Sequence, residues 1–252
     1  MTTRTPTGRL RLVAFVSLML AIVAPMATEL AGLRRAIGDP RGTGVTMRVI
    51  GVGKRRAEAG IAEVAAELPD AIMAVGFCGG ADPTLRTGDL HVADVFHSVD
   101  RSEPIVADPG LIGRAMAWSD RNNHRLVCGP SVTVDALAGT QAKRALYAET
   151  GAASVNMEDY WAASVAADHE IPFGSVRAVL DTADDELPDY LGDVGDGIFD
   201  ALRGLATHPG SIFSLIRLSR KSTVARDRLA DCVSGLLVCA SVPSASIDPS
   251  RP

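Results

Sequence analysis

The sequence has few of the features by which metal, redox or nucleic-acid chemistry is recognised. Its four cysteines, Cys78, Cys128, Cys232 and Cys239, stand far apart. They make neither a CxxC pair nor the spacing of a zinc site, so they read as inert thiols of a reducing compartment. The five histidines, at 91, 97, 124, 169 and 208, form no HxxxH pair on one helical face. No metal and no cofactor are therefore expected. A basic face is missing as well: the net charge is -5, with both signs mixed along the chain, which argues against nucleic acid as a partner. There is no internal repeat, and the one long apolar run, Leu12 to Val23, is too short to span a bilayer comfortably.

What is present suits one large α/β domain. A chain of 252 residues with 47% hydrophobic and 22% charged residues can bury a single sizeable core, and two full domains would be cramped. Arg4, Arg9 and Arg11 ahead of the run from Leu12 have the outline of a signal peptide. The alternative is a buried first strand behind a short leader, and an upstream misassigned start would look the same. Pro25 in Ala24-Pro25-Met26-Ala27 spoils the cleavage site, which favours the strand and a cytoplasmic protein. The expected division is a leader over residues 1–12, one domain over 13–238, and a Ser- and Pro-rich disordered tail over 239–252.

Along the domain, strands and helices alternate. The run ending at Val23 reads as a strand, and Thr28 to Ile37 as a helix. Val45 to Val52 reads as a second strand, closed by Gly51-Val52-Gly53-Lys54 and followed by an amphipathic helix through Ala57, Ile61, Val64 and Leu68. Ala71 to Gly76 is an apolar run closed by a Phe77-Cys78-Gly79-Gly80 turn. Further strands are expected at Asp89 to Phe96, Leu126 to Cys128, Ala153 to Met157 and Phe173 to Leu180. Helices are expected at Leu111 to Asn122, Thr140 to Thr150 and Asp159 to His169, and again around Ile198 to Ala206 and Ile212 to Leu236. This order implies a largely parallel sheet covered on both faces, which holds ligands at the carboxyl ends of its strands.

Glu29, the Phe77 to Gly80 segment, Glu158 and Asp181 each sit just beyond an apolar strand. Taken singly, each acidic residue is as well explained as a helix cap or a solvated turn. Together with their neighbours they resemble a known family. Gly76-Phe77-Cys78-Gly79-Gly80-Ala81-Asp82-Pro83, continued by Leu85-Arg86-Thr87-Gly88-Asp89, resembles the G-x-x-G-G-x-D-P-x-L-x-x-G-D stretch of methylthioadenosine and S-adenosylhomocysteine nucleosidases. Asn156-Met157-Glu158 is similar to their ribose motif, and Arg177 through Asp181 to Asp184 to their R-x-x-x-D-x-A-D motif. Gly51 to Lys54 and Pro25 to Leu30 are similar to two further turns. Five such motifs in order resemble the nucleoside phosphorylase and nucleosidase superfamily over roughly Val23 to Asp184. The segment from Ala201 through His208-Pro209-Gly210 to Leu218 resembles the end of the hopanoid-associated nucleosidases, which are thought to act on adenosylhopane.

The resemblance implies a three-layer α/β/α fold with a mixed, mostly parallel central sheet. It implies a homo-oligomer and a small nucleoside substrate. Asp181 would protonate the purine as it departs and Glu29 would activate the attacking water. Glu158 would hold the ribose hydroxyls, with Met157 beneath the sugar and Phe77 and Gly79 lining the pocket. Two carboxyls at opposite ends of the scissile bond meet the need of this reaction for an acid on one side and a nucleophile on the other.

The match departs from the family in informative places. Phosphorolytic relatives have an R-x-G-S turn where this chain has Ala74-Val75-Gly76-Phe77. Without the arginine and serine, a phosphate lacks multidentate partners, so water is the expected nucleophile, although Arg55 or Arg86 could supply a cation from elsewhere. The alternatives are a phosphorylase or a nucleoside-binding protein without turnover. Phe77 replaces a smaller residue, Asn156 replaces an acidic one, and Tyr160-Trp161 either packs in the core or lines an apolar pocket beside the 5′ carbon of the ribose. Arg217, Arg220 and Lys221 form a basic helix face, either solvated or in peripheral contact with a membrane surface.

Overall fold

The computed structural model describes residues 19–38, 44–122, 124–185 and 212–240, with the side chains of 212–220 and 238–240 outside the description. The leader, the tail beyond 240, the helical pattern at 198–206 and the His208-Pro209-Gly210 stretch lie outside the described residues. So do the side chains of Arg217 and Arg220.

Short β-branched and apolar runs make the central strands, and helices interleaved with them cover the sheet. In chain order these are β1 (Leu20–Ala24), α1 (Ala27–Ile37), β2 (Val45–Val49), α2 (Lys54–Ala65), β3 (Ala71–Gly80), β4 (Leu90–Ser98) and β5 (Arg101–Val106). There follow α3 (Pro109–Asn122), β6 (Leu126–Thr133), α4 (Thr140–Thr150), β7 (Ser154–Asn156), α5 (Asp159–Asp168), β8 (Phe173–Asp181) and α6 (Ile212–Ala240). No described helix is long and apolar enough to cross a membrane.

The strands form one mixed sheet in the order β2-β1-β3-β7-β6-β4-β5, with β8 paired to both β3 and β4. β1 lies parallel between β2 and β3, β8 runs parallel to β3, and β8 meets β4 antiparallel. Because β7 joins β6 to the end of β3, the pairings β3–β8–β4–β6–β7 return to β3 and close a ring. One core lies between the sheet and α1, α3 and α6, built from Ile22, Leu30, Met73, Trp118, Leu229 and neighbours. The other lies under α2 and α5, around Val23, Ile61, Ile72, Phe96 and Trp161. The expected three-layer α/β/α arrangement is thus observed.

Several boundaries differ from the expectation. Phe77 to Gly80 is the last part of strand β3, rather than a turn, because β8 on one side and β7 on the other supply ladder partners for its backbone. The second strand stops at Val49 and the sixth runs on to Thr133. β5 was not expected, since its residues are mostly exposed and carry no apolar alternation.

Candidate active site

Glu29 stands in the first turn of α1, directly after β1. Its Oε2 accepts from the Met26 backbone N–H at 2.8 Å, the return contact by which a glutamate closes the first turn of a helix. Oε1 accepts from the Phe77 N–H of β3 at 2.7 Å. Both oxygens are therefore fixed by main chain, and the residue is 3% exposed. Burial pushes the carboxyl up to about 7, against the opposing pull of the Arg177 cation and of the two backbone donors.

Arg177 lies on β8 opposite Gly76 of β3. It is fully buried and doubly hydrogen-bonded to Asp159 at the start of α5, through Nε to Oδ2 at 3.2 Å and through Nη2 to Oδ1. Nη2 also lies 3.9 Å from Glu158, and Nη1 donates to the Phe77 carbonyl at 3.4 Å. Glu158 is held from its other side by the Gly53 N–H at 3.1 Å, and burial raises its carboxyl above the usual range. Asn156 explains why Glu158 and Asp159 are set so rigidly. Its Oδ1 accepts from both of their backbone N–H groups and from the Thr133 hydroxyl, capping α5.

Gly76 is required for this cluster. A Cβ there would lie 2.5 Å from Arg177 Nη1 and 2.6 Å from Glu29 Oε1. Gly76→Ala is expected to force the Arg177 guanidinium and the Glu29 carboxyl apart and to destabilise the fold by about 1–3 kcal/mol, the usual cost of overpacking a core. Thermal denaturation checks this, and an unchanged melting temperature would show that the pair need not sit where it does.

Asp181 closes β8. The β3–β8 ladder slips between Cys78 and Gly79, so that Val179 pairs with Cys78 and Asp181 with Gly79, leaving Leu180 as the extra residue of a bulge. Burial lifts the Asp181 carboxyl against the pull of Lys143, whose Nζ bonds Asp181 Oδ2 and also donates to the Thr182 carbonyl at 3.0 Å. The next acidic residue, Asp185, accepts from the Thr182 N–H and hydroxyl and from Lys221 of α6. Lys221 is thereby turned to the loop after β8, and is not part of a solvated basic face.

The structure thus places Glu29 and Glu158 around one arginine, and Asp181 at the end of β8, beside Gly79 of β3. Met157 is half-buried against Val132, Val134 and Val155, and Phe77 is half-buried against the core beneath α1 and α6. Tyr160 and Trp161 lie in the core under α2, edge to face at 5.2 Å, with the Tyr160 hydroxyl donating to the Glu103 carbonyl at 2.9 Å. Of the arginines considered as anion partners, Arg55 is exposed and Arg86 is bonded to the carbonyls of its own turn, Pro83 and Leu85. The cation among the carboxyls is Arg177, which the sequence motif contained without showing its role. Lys143 and Asp159 are further polar groups that sequence reasoning missed.

The family model of the phosphorylase superfamily matches residues 5–196. Among solved structures, a methylthioadenosine/S-adenosylhomocysteine nucleosidase of Helicobacter pylori, complexed with a pyrrolopyrimidinyl-methyl pyrrolidinol, is 15% identical with a TM-score of 0.68, covering 87% of this chain and 97% of that one. The futalosine hydrolase of Helicobacter pylori is 14% identical with a TM-score of 0.68 and the same coverage, 87% and 97%. A methylthioadenosine/S-adenosylhomocysteine nucleosidase from Neisseria meningitidis, in complex with methylthio-immucillin-A, is 18% identical with a TM-score of 0.67 over 86% of this chain and 97% of that one. At these identities the likeness establishes a shared fold.

Proposed function

Since the chain belongs to the phosphorylase superfamily, we propose that it is a purine nucleosidase, hydrolysing the N-glycosidic bond of an adenosine derivative with water as the nucleophile. The substrate class is adenosylhopane, or methylthioadenosine and S-adenosylhomocysteine, and the working unit is the domain over 13–238. Asp181 donates a proton to the departing purine, and Glu29 positions and deprotonates the water. Glu158 accepts hydrogen bonds from the ribose hydroxyls, Met157 packs beneath the sugar, and Phe77 and Gly79 border the pocket.

The observation that carries this reading is the setting of Glu29. Its carboxyl is fixed by two backbone donors and titrates near neutrality, which suits a general base. The Phe77 anchor of Glu29 and the Gly79 position beside Asp181 are two residues apart on β3, about 7 Å along a strand. Both carboxyls are thus anchored along one stretch of β3, on either side of Cys78. The same cluster disfavours phosphate. Arg177 is bonded to Asp159 and lies beside Glu158 and Glu29, so a dianion entering here would meet carboxylates with no uncommitted guanidinium among the described residues of the cluster.

The test is release of adenine from methylthioadenosine, S-adenosylhomocysteine and adenosylhopane, with and without phosphate. Equal release in both buffers supports hydrolysis, and release only with phosphate would make the chain a phosphorylase. The pH profile adds a second check. A base must be ionised to act, so kcat/KM should climb with pH through about 7, the value at which Glu29 titrates. A flat profile between pH 5.5 and 7.5 would exclude Glu29 as the base.

A further inference from the structure

Helix α4 has one buried residue, a lysine; Thr140, Leu146 and Thr150 are half-buried and the rest of the helix is exposed. Surface helices ordinarily bury an apolar stripe, and lysine is among the residues least often fully buried. Lys143 nevertheless has a side-chain exposure of 2%. Its chain passes Gly79, where a Cβ would lie 2.9 Å from Lys143 Cε, so the missing side chain of Gly79 opens the route. The ammonium ends on Asp181 Oδ2 and on the Thr182 carbonyl. Burying a cation this deeply is costly, and its attraction to one carboxylate offsets the cost only in part. As an anchor for α4 an apolar side chain would serve better.

We infer that Lys143 and Asp181 together hold the proton that goes to the departing base, with Lys143 as its reservoir. This rests on the nucleosidase reading. As the C1′–N9 bond breaks, its electron pair moves into the purine. The Lys143 ammonium passes a proton to the Asp181 carboxylate and N7 takes one from that carboxyl, which leaves Asp181 ionised again and Lys143 a neutral amine. The water oxygen bonds to C1′ and gives its proton to Glu29. After product release, solvent removes that proton from Glu29 and restores the one on Lys143, so charge is conserved over the cycle. Lys143 acts through Asp181 and is a positioning residue.

Among the described residues, the groups facing Asp181 are few. Lys143 approaches from α4, Cys78 from β3, Asp185 from the loop after β8, and Lys221 from α6. Lys221 is bonded to Asp185, so among the described residues Lys143 is the cation in direct contact with the acid.

The experiment measures kcat/KM for adenine release between pH 5 and 10 in the wild type and in Lys143→Met, Lys143→Gln and Lys143→Arg. The wild type should hold its rate further into the alkaline range than the Met and Gln variants, because a pair of groups sharing a proton gives it up later than one of them alone. The loss in those variants should widen from pH 6 upward and reach about 10- to 100-fold at pH 8.5, the range for a missing acid catalyst. If the Met variant fails to fold, the Gln variant carries the comparison, since it keeps a donor for Asp181. Arginine keeps the charge but does not release a proton, so failure of Lys143→Arg to restore the rate at pH 8.5 supports the relay. Full rescue by arginine, or Met and Gln profiles that overlay the wild type, would overturn it. Absence of base release from the wild type would instead remove the nucleosidase reading beneath it.

Discussion

Asp181→Asn should lower kcat/KM for adenine release by about 100- to 10,000-fold, the range for loss of a general acid. Asparagine has nearly the shape of aspartate and keeps an acceptor for Lys143, yet it has no proton to give. A purine leaving without a proton carries its charge into a buried pocket, which raises the barrier steeply. KM should change far less than kcat, because the amide still fills the same space beside Gly79. The change also removes the counter-charge of a buried ammonium, so the melting temperature should fall. Chromatographic detection of adenine, with circular dichroism to establish folding, separates the two effects. A folded variant that keeps activity within tenfold would place the acid elsewhere.

Arg177→Met should act mainly on stability. Asp159 is completely buried, and its described partners are Arg177 and the Ser175 hydroxyl at 2.7 Å. Without the guanidinium it becomes a buried carboxylate with one neutral donor, a change that typically costs about 3–5 kcal/mol. For a domain of this size that corresponds to a drop of roughly 6–20 °C in melting temperature. Arg177→Lys should recover little, because a point charge cannot make the two parallel bonds to Asp159. Whatever folded protein remains should show the rising limb of its pH profile moved upward, since Arg177 is the largest influence holding the Glu29 carboxyl down. Calorimetry and the pH profile together check this. A melting temperature within 2 °C of wild type would show that Asp159 is neutralised by another route.

The sequence made some of this arrangement legible because the physics is local. α4 falls on Thr140–Thr150 as expected, and β8 follows an apolar run that no helix could use so well. The acidic residues after β1, β7 and β8 were visible as departures from apolar runs. What the sequence concealed depends on partners distant in the chain. β3 continues through Gly79-Gly80 only because β7 and β8 pair with it there, and a Gly-Gly pair otherwise signals a turn. β5 is an edge strand with Pro104 and little to bury, so its place is decided by β4. Lys143 looked like any lysine on a polar helix. Nothing in its neighbours told that Gly79, far away in sequence, leaves a channel for it. Tyr160 and Trp161 were open between core and pocket until the packing of α5 on α2 was known.

The bulge at Leu180 has a consequence for how such a site changes over generations. From Arg177 to Asp181 the chain takes four steps, while its partner strand takes three, from Gly76 to Gly79. Were the ladder regular at the same chain length, the acid would stand level with Gly80, one rung beyond the gap through which Lys143 arrives. Register on a strand is a matter of counting, and a slip of one residue changes which groups meet. The identity of residue 180 is therefore open to drift so long as something apolar fills the space, whereas the slip itself is not. Substitutions can accumulate at this position without moving the acid, so the heritable constraint falls on register rather than on spelling.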